Sequence, residues 1–271
     1  MSDWAAVERE LDRWSETART ATLWWRDDDA AARTPALDRL LALAERAALP
    51  LALAVIPQAA EAGLADRLAD RSPGIRVLQH GFAHRNNAQP DAKKCELVAT
   101  AQRPEIADEL RQGLALLAEL CGGRMVAALV PPWNRIDAGL VAELPALGFA
   151  GLSTYKARSS AEPVPGLRQI NCHVDIMQWR PQRRFLGTAA ALRLLVDHLE
   201  ARRTGTADPE EATGILTHHA VHDEDAWRFL EDLLTRLAGH PACRFVTAEA
   251  LFAAQNASVP ASSPLSASGV A

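Results

Sequence analysis

Thr22-Leu23-Trp24-Trp25-Arg26-Asp27-Asp28-Asp29 is an apolar run that ends in three consecutive acids. Three adjacent carboxylates repel one another, and the end of a half-buried strand desolvates them, so a cation or a hydrogen-bonded partner is expected to compensate. A divalent metal is the natural candidate. The alternative is an acidic loop that caps the following helix, a position Asp favours. The rest of the chain decides between the two.

Outward from this run, short apolar stretches alternate with amphipathic ones. A helix over Trp4 to Arg19 precedes the strand at 21–26, and a helix from Thr34 to Ala48 follows it. Strands are expected at 51–56, 75–79, 125–130, 149–152, 167–173, 214–217 and 244–246. Helices fill the intervals at 58–70, 104–120, 136–147, 188–202, 223–237 and 248–252. Regular alternation of this kind implies parallel β-structure with helical crossovers. Repeated about seven times without a Gly-rich phosphate loop, it suggests a (β/α) barrel, with an open sheet the alternative that periodicity leaves standing.

The working residues of a parallel barrel collect at the C-terminal ends of its strands, and the polar clusters of this chain fall there. Asp27, Asp28 and Asp29 follow the first strand, and His80-Gly81-Phe82-Ala83-His84 follows the third. Pro131-Pro132-Trp133-Asn134-Arg135, Asn171-Cys172-His173-Val174-Asp175 and His218-His219-Ala220-Val221-His222 follow later ones. His80 and His84 are four apart, which places two imidazoles on one face of a helical turn. Imidazole with carboxylate suits zinc and similar first-row ions and leaves coordination positions open, as a catalytic site needs. His218 and His222 repeat the spacing as a rival pair, but Asp28 and Asp29 with His80 and His84 join neighbouring strand ends. Trp133, beside two prolines at a strand end, is expected to line a cleft, although a lone Trp is more often core.

With 48% hydrophobic and 23% charged residues in 271, the chain can bury a full core as one domain. A net charge of −5 and a pI near 5.9 argue against a general nucleic-acid binder. The basic clusters Arg180-Pro181-Gln182-Arg183-Arg184 and Arg202-Arg203 read as solvated surface. Cys95, Cys121, Cys172 and Cys243 form no Cys-x-x-Cys pair, which suits buried reduced thiols. Met1 to Arg19 carries charges throughout, unlike a signal peptide, and no apolar run is long enough to span a membrane, so a cytoplasmic address is expected. The organisation expected is an N-terminal helix packed on the domain (1–20), the barrel (21–254) and a disordered Ser/Ala/Pro-rich tail (255–271).

The ordered set of an Asp-Asp pair, His-x-x-x-His, a Pro-Pro-aromatic loop, an Asp-containing segment and a late Leu-x-His resembles the polysaccharide deacetylase family over Leu23 to Phe252. The resemblance implies a distorted (β/α) barrel of about seven strands, one divalent metal (zinc first, with cobalt, nickel or manganese as alternatives) and hydrolysis of an N-acyl amide. Residue by residue, Arg26-Asp27-Asp28-Asp29-Ala30 matches the family's Thr-Phe-Asp-Asp-Gly. It implies Asp28 as catalytic base and Asp29 as metal ligand with His80 and His84; a one-residue slip would instead make Asp27 the base and Asp28 the ligand. Leu216-Thr217-His218 matches the motif whose histidine acts as general acid.

Two departures stand out. The family's third motif usually has an Arg where this chain has Val130, so the ion pair that orients the base is missing or comes from Arg26 or Arg135. In the fourth region Asp175 or His173 is expected to orient His218, with His222, Pro132, Trp133 and Asn134 as further substrate-binding or orienting positions. The implied substrate is a small molecule or oligosaccharide carrying an acetylated amine, with an amino sugar foremost. A non-sugar amide or ureide, and a non-catalytic carbohydrate-binding barrel, are the alternatives. Lys93 and Lys94, in the loop from Arg85 to Gln102, are candidates to meet a substrate anion, with a solvated charge run the plainer reading.

Overall fold

The computed structural model describes residues 4–69, 74–99 and 101–253, so the expected C-terminal tail lies outside the described residues. Eleven strands and eight α-helices alternate among them. The strands are β1 (Ala21–Ala30), β2 (Leu51–Val55), β3 (Ile75–His80), β4 (Met125–Val130), β5 (Gly151–Leu152), β6 (Arg168–Gln169), β7 (Val174–Asp175), β8 (Met177–Gln178), β9 (Arg184–Phe185), β10 (Thr213–Thr217) and β11 (Cys243–Phe245). The helices are α1 (Trp4–Glu16), α2 (Pro35–Ala47), α3 (Ala62–Ala69), α4 (Ile106–Cys121), α5 (Ala138–Glu143), α6 (Thr188–Thr204), α7 (Glu224–Gly239) and α8 (Ala248–Phe252).

The main sheet runs β6-β5-β4-β3-β2-β1-β10-β7, all parallel, with β11 on the start of β1. Its two terminal strands belong to one extended segment. Between β6 and β7, Ile170 and Cys172 donate to Leu152 and Thr154 on one side, and His173 donates to Gly214 on the other. The segment from Arg168 to Asp175 thus pairs with β5 and with β10, which closes the ring at seven strand positions and makes it a distorted barrel. The open-sheet alternative is thereby excluded.

Side-chain alternation along β1 then sorts the opening stretch. Trp24 belongs to the interior cluster with Ala52, Ala54, Leu78, Ala128, Val130 and Leu216. Trp25 belongs to the outer cluster between strands and helices, with Leu37, Leu41, Leu230 and Leu234. The large ring of Trp24 requires small neighbours: a Cβ on Gly214 would meet its Nε1 at 2.6 Å. The short helix α8 plugs the N-terminal end, where Phe252 meets Trp24 edge-on at 6.1 Å. Helix α1 buries Val7, Leu11 and Trp14 on the outer layer and is tied to α6 by the Glu10–Arg203 ion pair.

The hairpin of β8 and β9 was not expected from periodicity, because two-residue strands carry no usable alternation. The cysteines are all free thiols as read, but only Cys172 is buried; the other three are half-exposed. No helix among the described residues is long and apolar enough to cross a membrane.

Candidate active site

The three acids at the end of β1 take three different partners. β1 pairs with β2 through Asp27↔Leu53, and the register shifts before Ala30↔Val55. An irregularity of this kind re-aims side chains, and Asp29 sits at φ 68° within it. Asp28 and Asp29, which would otherwise face opposite sides, both reach the mouth of the barrel. Asp27 faces the helix layer instead. Its Oδ1 lies 2.5 Å from His219 Nδ1, and its Oδ2 accepts from Thr217 Oγ1 at 2.6 Å and His219 N at 3.0 Å. Burial opposes its ionisation, but His219 and the hydrogen bonds outweigh it and hold the carboxyl below the usual range. Asp27 is fully buried and its oxygens are occupied, so its part is to fix the β1–β10 junction.

Asp29 Oδ1 lies 3.0 Å from His80 Nε2 and 3.3 Å from His84 Nε2. The two rings are 5.2 Å apart. His80 Nδ1 is 3.0 Å from the Val130 carbonyl, which fixes the proton on Nδ1 and turns the Nε2 lone pair towards Asp29. With the ring neutral, the Nε2 lone pair and the Asp29 carboxylate face each other and suit a cation between them; with the ring protonated, Nε2–H donates to Asp29. Burial opposes protonation of His80, but the Asp29 hydrogen bond and the Asp28 and Asp29 charges outweigh it and raise its pKa. Burial and the neighbouring His80 lower that of His84. Two imidazoles and a carboxylate suit zinc and similar ions, so the donor set fits the implied metal.

Asp28 is held by Arg26, two residues back on the same interior face. Arg26 Nη2 donates to Asp28 Oδ2 at 3.0 Å, and its Nε stands 2.8 Å from Oδ1. Nη1 donates to Ser153 Oγ at 2.6 Å and Nη2 to Asn134 Oδ1 at 2.8 Å. Arg26 is 0% and Asp28 2% exposed, so this is a desolvated pair. Of Arg26 and Arg135, it is Arg26 that the structure places against Asp28. Arg135 instead points outward and donates to the Lys94 carbonyl at 2.8 Å.

His218, at the end of β10, places Nε2 3.9 Å from Asp28 Oδ2. Neither Asp175 nor His173, the two residues expected to orient it, hydrogen-bonds His218. Asp175 spends its oxygens on Trp179 Nε1 at 2.7 Å and Met177 N at 2.9 Å; it thereby holds the Trp179 indole, which packs edge-on against His218 at 4.5 Å. His173 lies elsewhere. It accepts the Gly214 N–H at Nδ1, which leaves its Nε2–H facing Glu211 Oε1 at 3.4 Å, and it stacks on His198. Burial lowers the pKa of both rings, that of His198 to about 2, and with Glu211 they form a second buried His/Glu group away from the barrel mouth. His222 accepts the His218 N–H at 3.3 Å and burial lowers its pKa to about 4, so the rival His218/His222 metal pair does not assemble.

Backbone strain concentrates at this mouth. Asp29, His84 (φ 53°), Trp133 (φ 56°) and Asn134 (φ 54°) all occupy the left-handed region, at a cost of about 1–3 kcal/mol each. Trp133 packs on His84 at 4.5 Å, with Lys94 Nζ 5.7 Å from its ring. Pro132 is buried, with its ring against Gly81 of the histidine loop.

Glu96, 1% exposed, reads in the sequence only as one charge of the Arg85 to Gln102 loop beside the histidines, since it stands in no motif. Its carboxylate accepts the N–H groups of Phe82 at 3.2 Å, Ala83 at 2.8 Å and Arg85 at 3.4 Å. It fits so closely that a Cβ on Gly81 would sit 1.9 Å from Oε2. The loop that presents His84 is wrapped around this one side chain. Glu96→Ala is expected to weaken zinc binding about 10–100-fold, measured by competition with a chromophoric chelator, with Glu96→Gln recovering part of the loss. Unchanged affinity in both variants would remove Glu96 from the site.

No family profile matches the sequence, and no curated protein matches it; the likeness to known proteins is structural. A Mycobacterium smegmatis protein assigned to the polysaccharide deacetylases superposes with a TM-score of 0.61 at 16% identity, over 86% of this chain and 89% of that one. The fold is that of the polysaccharide deacetylases. A family 4 carbohydrate esterase from Streptomyces lividans in complex with acetate gives 0.53 at 17% identity over 82% and 90%. A peptidoglycan N-acetylglucosamine deacetylase gives 0.53 at 13% over 88% and 95%.

Proposed function

We propose that this polysaccharide-deacetylase-like chain is a metal-dependent hydrolase that removes an acyl group, acetyl first among them, from an amine. The observation that carries this reading is the mouth itself: Asp29, His80 and His84 converge beside an Arg26-paired Asp28, with His218 3.9 Å further on. Asp29, His80 and His84 hold the metal. When bound, such an ion supplies a Lewis acid for the acyl carbonyl and brings the pKa of water to about 7 in zinc enzymes.

The protein's own groups complete the reaction. Asp28 takes the proton of the attacking water. The Asn134 N–H is spent on the Pro131 carbonyl at 2.8 Å, so Trp133 N–H is the donor this loop offers to the oxyanion. His218 protonates the nitrogen as the C–N bond breaks, which releases a carboxylate and an amine. Trp179, anchored by Asp175, keeps its ring in place.

An acetylated amino sugar is the substrate class suggested by the name of the N-acetylglucosamine deacetylase that shares this fold. A second reading, a non-sugar small amide, is favoured by a largely apolar groove lined by Trp179, the indole that packs on His218. Zinc-loaded protein, assayed for acetate release from a panel of N-acetyl amines, should turn over at least one of them and stop when chelated. No acetate from any member, with the site fully loaded, would contradict the hydrolase reading.

A further inference from the structure

A cleft of about 750 Å³ opens between the β8–β9 hairpin and the first turns of α6. Its walls include Tyr155, Met177, Leu186 and Leu194, together with Asp175 and Trp179, the indole that packs on His218. Arg193 also lines it, is exposed and makes no ion pair or hydrogen bond among the described residues. The hairpin also carries Arg180, Arg183 and Arg184.

Resting on the hydrolase reading above, we propose that this groove is the leaving-group subsite. Its occupant is an amine with an apolar or aromatic body and an anionic terminus, of the kind an N-acylated apolar amino acid releases. The position follows from chemistry: the group that His218 protonates is the departing nitrogen, so whatever that nitrogen carries extends past Trp179. The class follows from the lining. A sugar presents a hydroxyl at nearly every carbon, and each one set against Met177, Leu186 or Leu194 gives up its hydrogen bonds to water without replacement. An apolar body suffers no such loss and buries its surface. The charge follows from Arg193, whose guanidinium makes no ion pair among the described residues and lines the same groove, where it suits an anionic terminus.

Equilibrium binding to the zinc-loaded Asp28→Asn protein tests the groove without turnover. N-acetyl-L-phenylalanine is expected to bind at least tenfold more tightly than N-acetylglucosamine. Arg193→Glu, and Ala190→Trp on the exposed groove wall, should each weaken the aromatic acid about tenfold or more and leave the sugar within about twofold. Equal or tighter binding of the sugar, or an aromatic-acid Kd unchanged by both groove variants, would overturn the proposal. The hydrolase reading fails separately: active-site-intact protein that binds N-acetyl-L-phenylalanine through the groove but releases acetate from no substrate would contradict catalysis and not the subsite.

Discussion

Asp28→Asn is expected to lower kcat by about 10²–10⁴-fold, the usual contribution of a positioned base, while the protein keeps its full complement of metal. Asn is nearly the same size and can still accept from Arg26 Nη2, which stands 3.0 Å from Asp28 Oδ2. It cannot take a proton from water at neutral pH. The ligands Asp29, His80 and His84 do not depend on Asp28 for their mutual placement. Loss of turnover with retained metal separates the two adjacent acids by role. Under the one-residue slip the same variant would lose the metal, and Asp27→Asn would be the one that stops turnover. Metal content and initial rates on both variants distinguish the alternatives.

The second large effect is expected at Arg26. Arg26→Met removes one side of a fully desolvated ion pair and leaves Asp28 without that partner, a change that typically costs about 3–5 kcal/mol. In a domain of this size that corresponds to a fall in Tm of roughly 6–20 °C. Asn134 Oδ1 and Ser153 Oγ lose their donor as well, so the strained Trp133-Asn134 turn loosens together with the base. Arg26→Lys should rescue only part of this, since an ammonium cannot reproduce the fork that reaches Asp28, Asn134 and Ser153. Adding Asp28→Leu to Arg26→Met should recover much of the stability and none of the activity, because the buried charge is gone but so is the base. An unchanged melt in Arg26→Met would mean that the pair is hydrated and that Arg26 does not organise the site.

The barrel was legible because each strand–helix repeat wrote its own period into the sequence. Closure was not legible. It depends on Arg168 to Asp175 pairing on both sides, a long-range fact that a pattern of two-residue strands does not encode. The Asp29, His80 and His84 cluster could be read from strand-end position but not from helical spacing, since His80 ends β3 and His84 stands in a loop at φ 53°. Which of three adjacent acids points where could not, since alternation alone would put Asp27 and Asp29 on one face, and the register shift after Asp27 breaks that rule. Arg26 was one of two candidates for a missing cation, and only the interior direction shared by Trp24, Arg26 and Asp28 separates it from Arg135. His173 misled because a histidine beside a strand end looks available until its Nδ1 is seen to accept the Gly214 N–H. Glu96 left no signal beyond its charge: its three backbone partners belong to a loop whose shape it creates.

The most direct test of the central claim is the metal content of protein purified without chelators, set against the His80→Ala, His84→Ala double variant. The account predicts about one equivalent of zinc or a similar ion in the wild type and none in the double variant, with both proteins folded by circular dichroism. A folded wild-type protein that holds no metal even after reconstitution with zinc, or a double variant that holds as much as the wild type, would contradict it.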